Sequence, residues 1–249
     1  MKKLTQEQIN KILEEHKHWL NEDCKGWETM RADFSSCDLS GANLHCAALS
    51  YANFHDANLS YANLHYADLS YANLSGNLSG ANLHCADLSY ANFHDANLNG
   101  ANLSYANFHD ANLSYANFRD ANLNGANLSY ADLCGAKEVP YIPMICPEEG
   151  DFIGWKKAGN KIVKLRIPED ALRSSATTRK CRCNKAEVIE IYNIDGTIAD
   201  ERIVSSNYDS SFTYEVGKTV EVQDFDTNRW KKCTRGIHFF INQQEAINY

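Results

Sequence analysis

The sequence has little of several features that would point to familiar classes of protein. Its 249 residues include only 4 prolines, three of which lie close together at Pro140, Pro143 and Pro147. No run of about 18 apolar residues occurs, so we expect no transmembrane helix and no membrane partner. Met1–Lys3 is basic but no apolar segment follows it, which predicts a cytoplasmic chain without a secretory signal.

Catalytic and cofactor motifs are also missing. There is no glycine-rich phosphate loop, so no nucleotide cofactor is expected. The 9 cysteines show no paired framework, which favours a reducing compartment over a disulfide-bonded secreted fold. The net charge of −8 at pH 7 speaks against direct binding to nucleic acid. These absences predict a protein that is not an enzyme and holds neither a cofactor nor a metal.

Positive charge is nearly absent from residues 31–135. The 9 aspartates there are offset only by Arg31 and Arg119, which gives a net charge of −7. Residues 1–30 carry a net charge of −1, whereas residues 136–249 balance 17 acidic against 17 basic side chains. This change in composition predicts a separate C-terminal domain. The expected parts are a capping helix (1–30), a repeat segment (31–137), a proline-rich linker (138–150) and an α+β domain (151–249).

A five-residue period runs through residues 31–135. An apolar residue, Leu in 16 units and Phe in 5, recurs at positions 34, 39, 44, 49, 54, 59, 64, 69, 74, 78, 83, 88, 93, 98, 103, 108, 113, 118, 123, 128 and 133. Two residues before it stands Ala in 19 of the 21 units, and the residue between them is Asn in 15 and Asp in 5. A period of five fits neither a helix nor a strand. Short fixed repeats are typical of solenoids, whose units bury their apolar sides against each other.

This A(N/D)LXX pattern resembles the motif of the pentapeptide-repeat family. The resemblance implies an all-β solenoid, a right-handed quadrilateral β-helix with four units per coil. The 21 units would then make about five coils, capped by an N-terminal α-helix and followed by a small α+β domain. At the usual spacing between strands, the rod would be about 25 Å long.

One repeat is short, because Leu78 follows Leu74 by four residues instead of five. Gly76 then has to end one unit and begin the next, and glycine tolerates unusual backbone angles. The similar stretches that start at Leu44 and Leu83 are 39 residues apart, one fewer than two coils of 20. We therefore expect a tightened corner that keeps the coils in register. A Cβ at Gly76 should clash or force strain at positive φ.

Residues Thr5–Asn21 have the pattern of an amphipathic helix. Thr5 and Gln8 have the spacing of a capping box, and apolar residues recur every three or four positions from Leu4 to Leu20. The end of a β-solenoid exposes unpaired backbone and apolar side chains, so the simplest interpretation is a lid on the first coil. A helix that binds a partner or a second copy of the chain is the alternative.

Residues 151–249 have the pattern of an α+β domain that consists mostly of strands. We expect hairpins at Ala158-Gly159-Asn160 and Asp195-Gly196, strands on both sides of Gly217-Lys218, a short helix from Pro168 to Leu172, a strand at His238–Ile241 and a final helix capped by Asn242 with Glu245. The segments FTYEVGKTVEV and GIHFFINQQEAINY resemble a domain that follows pentapeptide repeats in bacteria and phages. That resemblance implies no function.

A possible zinc set has an ordinary structural explanation. Cys181, Cys183, Cys233 and His238 could supply four ligands, but the C-x-C spacing does not fit a zinc knuckle. His238 stands beside two phenylalanines, and we expect a buried, hydrogen-bonded histidine there. No metal site is predicted.

Three histidine–aspartate pairs recur among the serines of the repeats, at His55-Asp56, His94-Asp95 and His109-Asp110. Paired acid and base groups are a catalytic signature only where a pocket can hold a substrate. In the repeats both residues are expected to face solvent with no pocket beside them. Catalysis is therefore not predicted.

The last residue of every fourth unit forms a column along one edge of the predicted solenoid. One column reads Tyr51, Tyr71, Tyr90, Asp110 and Tyr130, and the short unit keeps it aligned. No other edge is dominated by tyrosine. Stacked rings about 5 Å apart can serve the fold alone, yet tyrosine is also enriched in binding hot spots. Tyr51, Tyr71, Tyr90 and Tyr130 are the candidate interaction residues.

Three functions are compatible with these patterns. The first is a non-enzymatic scaffold, a monomer or weak dimer that binds an unknown protein partner. The second is DNA mimicry toward DNA gyrase or another topoisomerase, which the family resemblance implies for some members. About 25 Å of B-DNA carries about 15 negative charges, whereas the repeats carry −7, so the scaffold is favoured. The third is an enzyme in residues 151–249, which would need a pocket with convergent polar groups.

Overall fold

The computed structural model describes residues 1–230 and 234–249. The chain divides into two compact units, Met1–Ile142 and Pro143–Tyr249. Segment 138–150, expected as a linker, is divided between them, and Cys146 is buried in the core of the second unit. Neither helix in the described ranges is long and apolar enough to cross a membrane.

The N-terminal unit opens with a short strand and one helix. Its first elements are β1 (Lys2–Lys3), α1 (Gln6–Asn21), a 3-10 turn (Trp27–Thr29) and β2 (Cys37–Asp38), and β1 pairs with β2 in parallel. The Thr5 side chain accepts from the N–H of Gln8, while the Gln8 side chain accepts from the N–H of Thr5. The predicted helix and its capping box are confirmed.

Helix α1 is hydrogen-bonded to the first turn of the repeats. The Gln6 side chain accepts from Asn43 N at 3.0 Å and donates to Asn43 O at 2.9 Å. Leu4 N donates to Asp38 O at 3.1 Å. Ile9 is fully buried on the same side of the helix as His16. The helix therefore covers backbone groups and apolar surface that the first repeats would otherwise expose.

Residues 31–137 form a β-helix held by isolated parallel bridges. Each bridge joins the middle residue of a unit to the residue 20 positions later, as between Asn43 and Asn63. We call a 20-residue segment of this kind a coil, and it holds four units. The apolar residue at the unit centre is buried at 20 of the 21 positions, and Leu123 is half-buried. Leu and Phe thus fill the interior, as the period predicts.

The chain turns at the last residue of each unit, where the backbone enters the left-handed region. In units of normal length φ there lies between 55° and 72°. The next N–H donates to the carbonyl three residues back, as Ala62 N does to Leu59 O at 3.0 Å, which is the pattern of a type II turn. A residue other than glycine adopts this conformation at a cost of about 1–2 kcal/mol. Eight of these corners hold tyrosine, so contacts of the ring must offset that strain.

The polar residue in the middle of each unit supports both its own turn and the stack. Its side-chain oxygen accepts from the N–H two residues later, as Asn58 Oδ1 does from Ser60 N at 3.2 Å. Its amide donates to the same position of the preceding coil, as Asn77 Nδ2 does to Asn58 Oδ1 at 3.0 Å. An aspartate can only accept. Asp33 and Asp38 therefore suit the first coil, where no earlier unit offers an acceptor.

The short unit changes the spacing of the bridges for one coil. The bridge from Asn58 to Asn77 spans 19 residues, and the spacing returns to 20 between Asn77 and Asn97. The prediction that the coils keep their register is confirmed. Of the two alternatives predicted for a Cβ at Gly76, the clash is confirmed: φ there is not positive, and a Cβ would lie 2.5 Å from the backbone oxygen of Ala57.

The imidazole of His16 is neutral and anchors α1 to the first coil. Its Nδ1 accepts from Ala32 N at 3.1 Å, so the ring proton lies on Nε2, which donates to Ser50 O at 3.1 Å. Burial lowers the pKa of His16 below its usual 6.5, and the positive charge of Arg31 adds to this, although the hydrogen bond to Ser50 opposes it. A second ring proton would point at the N–H of Ala32.

Acid is therefore expected to loosen α1. The unfolded chain binds a proton at His16 below about pH 6.5, and the folded chain binds it only at lower pH. The stability that neutral His16 contributes is therefore complete above about pH 6.5 and is lost as the pH falls below it. Hydrogen–deuterium exchange of the α1 amides, corrected for intrinsic rates, should rise by up to about tenfold per pH unit below about pH 6.5. His16→Asn should abolish this extra dependence, and His18→Asn, a control on the exposed face, should keep it. Equal pH dependence in both variants would contradict the assignment.

The C-terminal unit is built mainly of strands. Its elements are β3 (Phe152–Ala158), β4 (Lys161–Ile167), β5 (Arg173–Ser175), β6 (Lys180–Cys183), β7 (Lys185–Asn193), β8 (Ile203–Ser205), β9 (Thr213–Glu215), β10 (Thr219–Glu221), β11 (Ile237–Phe240) and α2 (Gln243–Asn248). Among the residues described, one antiparallel sheet has the order β10-β7-β4-β3-β11-β6-β5, and β8 pairs with β9. One face of the large sheet carries the main core, with Leu165, Val188 and Phe239. Ile162 and Phe240 meet Ala246 of α2 in a smaller cluster.

Several local predictions for this unit are confirmed. Ala158-Gly159-Asn160 joins β3 to β4 in a hairpin. The predicted strand at His238–Ile241 is β11, one residue earlier. Asn242 caps α2 by accepting from the N–H of Gln244.

Other predictions need correction. Residues 168–172 form a turn and not a helix, because Ala171 N reaches Pro168 O and the chain then enters β5; one such turn is too short to sustain a helix. The Asp195-Gly196 turn forms, but the expected return strand is only a bridge between Tyr192 and Ile198. The predicted strands on both sides of Gly217-Lys218 are confirmed as β9 and β10, which belong to different sheets.

Candidate interaction edge

The column of Tyr51, Tyr71, Tyr90, Asp110 and Tyr130 forms one edge of the solenoid, which we call the tyrosine edge. The ring centroids of Tyr51 and Tyr71 are 4.7 Å apart with their planes at 7°, and those of Tyr71 and Tyr90 are 4.7 Å apart at 5°. The four tyrosines are between 45% and 47% exposed. Three parallel rings thus make a flat ridge that is half in solvent.

The backbone determines where these rings stand. Each tyrosine occupies a left-handed corner, with φ of 64° at Tyr51 and 59° at both Tyr71 and Tyr90. Consecutive corners are separated by the strand spacing of about 4.8 Å, which suits aromatic stacking. Burial and the neighbouring rings of Tyr90 and Tyr51 raise the pKa of Tyr71 above its usual 10, so this phenol remains a neutral hydrogen-bond donor at physiological pH. The edge can therefore offer ring surface and hydroxyl groups, but no activated nucleophile.

Aromatic contacts continue at both ends of the tyrosine edge. Trp19 of α1 meets the Tyr51 ring edge-on, with centroids 6.0 Å apart. His109 lies between Tyr90 and Tyr130, with centroid distances of 5.8 and 5.3 Å, and bridges the gap that Asp110 leaves. The aromatic row thus runs from α1 to the last coil.

A second aromatic row lies outside the residues singled out from the sequence. His45, His65 and His84 occupy the same unit position in successive coils, with centroid distances of 5.3 and 4.9 Å. Nδ1 of His45 contacts the backbone oxygen of His65 at 2.8 Å, and Nδ1 of His65 contacts that of His84 at 3.0 Å. The repeat of histidine at positions 45, 65 and 84 is the sequence signal that could have revealed it. These hydrogen bonds between coils give the row a structural role.

The short unit opens a cavity of about 770 Å³ on the edge next to the tyrosine edge. Gly76 lies in it, and two histidine–aspartate pairs border it from the coils before and after, with 3.3 Å between His55 Nε2 and Asp56 Oδ2 and 3.1 Å between His94 Nδ1 and Asp95 Oδ2. The expectation that no pocket adjoins these pairs is therefore wrong. The four-residue unit lacks one corner residue, and the missing side chain accounts for part of this space, which extends along the edge from Met1 to Asn112.

The three possible zinc ligands that lie in the described part of the chain are not brought together. Cys181 and Cys183 are fully buried on one face of β6, and burial raises the pKa of the Cys183 thiol. His238 pairs in register with Arg182, so its side chain lies on the opposite face of the sheet. It is half-buried, contacts Thr234 O through Nε2 at 2.9 Å and has a pKa lowered to about 4, chiefly by burial. Cys233 lies outside the described residues.

Two family models match the chain. The model described as pentapeptide repeats matches in 8 copies, over residues 30–60, 37–76, 77–100 and 101–137. A family of unknown function (DUF5758) matches residues 142–246. The second match covers nearly the whole C-terminal unit.

Related proteins come from a virus and from cyanobacteria. An uncharacterized protein of Acanthamoeba polyphaga mimivirus is 41% identical over 96 residues, which cover 35% of this chain and 61% of the viral protein's length. The solved structure of Rfr23, a pentapeptide repeat protein of the cyanobacterium Cyanothece 51142, is 33% identical and covers 47% of this chain and 94% of Rfr23, with a TM-score of 0.43. HetL of Nostoc sp. strain PCC 7120, a pentapeptide repeat protein involved in heterocyst differentiation regulation, is 38% identical and covers 43% of this chain and 60% of HetL, with a TM-score of 0.25.

Proposed function

The chain belongs to the pentapeptide-repeat family, and from this premise we propose that it is a non-enzymatic scaffold in the cytoplasm whose tyrosine edge binds a protein partner. The observation that carries the proposal is the row of three parallel, half-exposed rings at Tyr51, Tyr71 and Tyr90. We propose a four-sided rod with about five coils, which the 20-residue spacing of the bridges supports, and a right hand, which the family implies.

Rigidity is what makes this edge suitable for binding. A tyrosine on a mobile loop loses side-chain freedom when a partner binds, and that loss weakens the complex by about 0.5–1.5 kcal/mol per side chain. Here the ring is already held by the corner backbone and by its neighbours, so little freedom remains to be lost. Large amphipathic rings that are fixed before binding are typical of hot spots.

Replacing both Tyr71 and Tyr90 by Ala is expected to abolish capture of a partner from the native host. The matched control is Tyr61→Ala with Tyr105→Ala. All four residues are tyrosines at corners with φ of 59°, but Tyr61 and Tyr105 are not stacked in a row of tyrosines. The control pair should retain capture, and both double variants should remain folded by thermal melting.

A photo-cross-linker can identify the contact directly. p-Benzoylphenylalanine at position 71 should cross-link the captured protein, and the same group at position 61 should not. Equal loss of capture in the two double variants, or cross-linking at position 61 alone, would show that the tyrosine edge is not the binding surface.

The alternative of DNA mimicry is tested by the corner aspartates. Five of the nine aspartates of the repeats occupy middle positions, where a carboxylate oxygen caps the turn, as Asp87 Oδ1 accepts from Ser89 N at 3.0 Å. The other four are Asp56, Asp95, Asp110 and Asp120. They are spread over three edges and do not form two continuous acidic rows. Changing these four to Asn should leave capture intact, whereas loss of binding to a topoisomerase in this variant, with the tyrosine variant unaffected, would favour mimicry.

A further inference from the structure

The C-terminal unit contains a cavity of about 590 Å³ that the proposed scaffold function does not use. Its base is lined by buried residues, among them Lys156, Tyr214 and Ile237. Phe212 and Val222 add apolar wall. Charged residues at the exposed rim are Asp209, Glu221, Asp224 and Arg235.

Lys156 at the base is an unusual residue to bury. It is only 8% exposed, because β3 turns it to the same face as Gly154 and Ala158. Its Nζ donates to the backbone oxygen of His238 at 3.3 Å and lies 5.6 Å from the centre of the Tyr214 ring. An ammonium has three N–H donors, and within residues 1–230 and 234–249 no carboxylate lies within ion-pair distance of this one.

The surrounding charges do not neutralise this amine. The charge of Lys180, which also lines the cavity, opposes the positive charge of Lys156, and Cys183 acts weakly in the opposite direction. The rim carboxylates are engaged elsewhere, since Asp224 pairs with Arg235 and Asp209 accepts from Ser211. Glu221 is exposed at the end of β10. A buried cation without a counter-ion is unfavourable, and it favours the entry of an anion into the space beside it.

We propose that this cavity binds a small carboxylate with an apolar body, its carboxylate paired with Lys156 and its body packed against Phe212, Tyr214 and Val222. The ligand class follows from the lining: one uncompensated amine at the base, an aromatic and aliphatic wall, and a volume suited to a small molecule. The site lies in the C-terminal unit, so it is independent of the tyrosine edge.

The ionisation of Lys156 gives the site a characteristic pH dependence. Burial, with a smaller contribution from the charge of Lys180, lowers the pKa of Lys156 to about 8, and Cys183 acts weakly in the opposite direction. A bound carboxylate favours the charged amine and must raise that pKa, so binding near pH 8 takes up protons. Affinity should be nearly constant between about pH 6 and pH 7 and should fall about fivefold between about pH 8 and pH 9.

Isothermal titration calorimetry of the full-length protein with benzoate tests the proposal, with benzamide as the uncharged isostere. We expect saturable binding of benzoate, no measurable binding of benzamide, and a benzoate affinity at least about tenfold lower in Lys156→Met. The matched control is Lys157→Met, the next residue on the same strand, whose Nζ donates to Ile247 O at 3.1 Å. This control should bind benzoate as the parent protein does.

Several outcomes would overturn the proposal. They are the absence of saturable benzoate binding, equal binding of benzamide, and unchanged affinity in Lys156→Met. If Lys156→Met does not fold, the parent protein decides the question. A benzoate affinity that is flat from pH 7 to pH 9, or heats that show no proton uptake at pH 8 in buffers of different ionisation enthalpy, would exclude Lys156 as the anchor.

Discussion

Gly76→Val is expected to destabilise the N-terminal unit by about 3 kcal/mol or more. A Cβ at this position would lie 2.5 Å from Ala57 O, 3.1 Å from Ala57 N and 3.3 Å from Phe54 O. All three contacts are backbone atoms of the preceding coil, and Ala57 N itself donates to Phe54 O at 3.0 Å within a corner turn. A flexible side chain could move aside, but this backbone is held on both sides by hydrogen bonds between coils. The two γ-methyl groups of valine add further overlap.

The control for this prediction is a glycine position where a side chain is unfavourable for a different reason. Gly100 has φ of 66°, and nothing lies within 4 Å of its ideal Cβ position. Gly100→Ala should therefore cost only the strain of the left-handed conformation, about 1 kcal/mol. Gly76→Ala should cost clearly more, although its φ is not positive. Urea-dependent hydrogen–deuterium exchange across residues 31–135 of the full-length protein measures both.

A different ranking would change the interpretation of the short unit. If Gly76→Ala and Gly76→Val are both nearly neutral, the corner is a loose bulge whose backbone can move away from Ala57. The cavity bordered by His55 and Asp95 would then be variable in size, since the same backbone forms its floor.

The repeats could be predicted closely because each unit meets only its neighbours. A central Leu such as Leu59 and a small Ala such as Ala62 are both fully buried, as the five-residue period alone requires. The alignment of Tyr51, Tyr71 and Tyr90 followed from counting residues, and the coil spacing then makes their rings stack. In a solenoid, the contacts between neighbouring units therefore determine the whole fold.

The short unit could be located but not described from the sequence. Counting residues per unit places the short unit at Gly76. The count does not say whether the backbone at the corner adopts a positive φ or lies unusually close to the neighbouring coil. The outcome depends on the backbone of Ala57, one coil away. The cavity beside it depends further on His55 and His94, from the coils before and after.

The fold of the C-terminal unit could be predicted less completely from the sequence. Alternation located β9 and β10, but not their partners, because strand pairing there joins segments far apart in the sequence. The same alternation puts Lys156 on one face with Gly154 and Ala158. Residues distant in the sequence show that this face is the buried one: Tyr214 on β9, over which Nζ of Lys156 lies, and Phe239 on β11, which packs against Gly154.

Deletion of residues 1–22 is expected to lower the melting temperature of the N-terminal unit by roughly 15 °C and to promote association. The deletion removes the buried Ile9 side chain, worth about 2 kcal/mol, and the hydrogen bonds of Gln6 and His16 to the first coil, worth about 1 kcal/mol each. The sum of about 6 kcal/mol corresponds to roughly 15 °C for a unit of this size.

Association should follow because the truncation leaves an open end. Ala32 N and Ser50 O lose their partner His16, and the first coil exposes backbone groups that can pair with another chain. Removal of residues 1–4 alone is the matched control, since it takes away β1 but leaves α1 with its anchors Gln6 and His16 in place. Calorimetry together with light scattering should show a small shift and a monomer for the short deletion, and a large shift with dimers or larger species for the long one. An unchanged, monomeric protein after loss of residues 1–22 would mean that α1 is not a lid, and the helix would then be free to serve as a binding element for a partner.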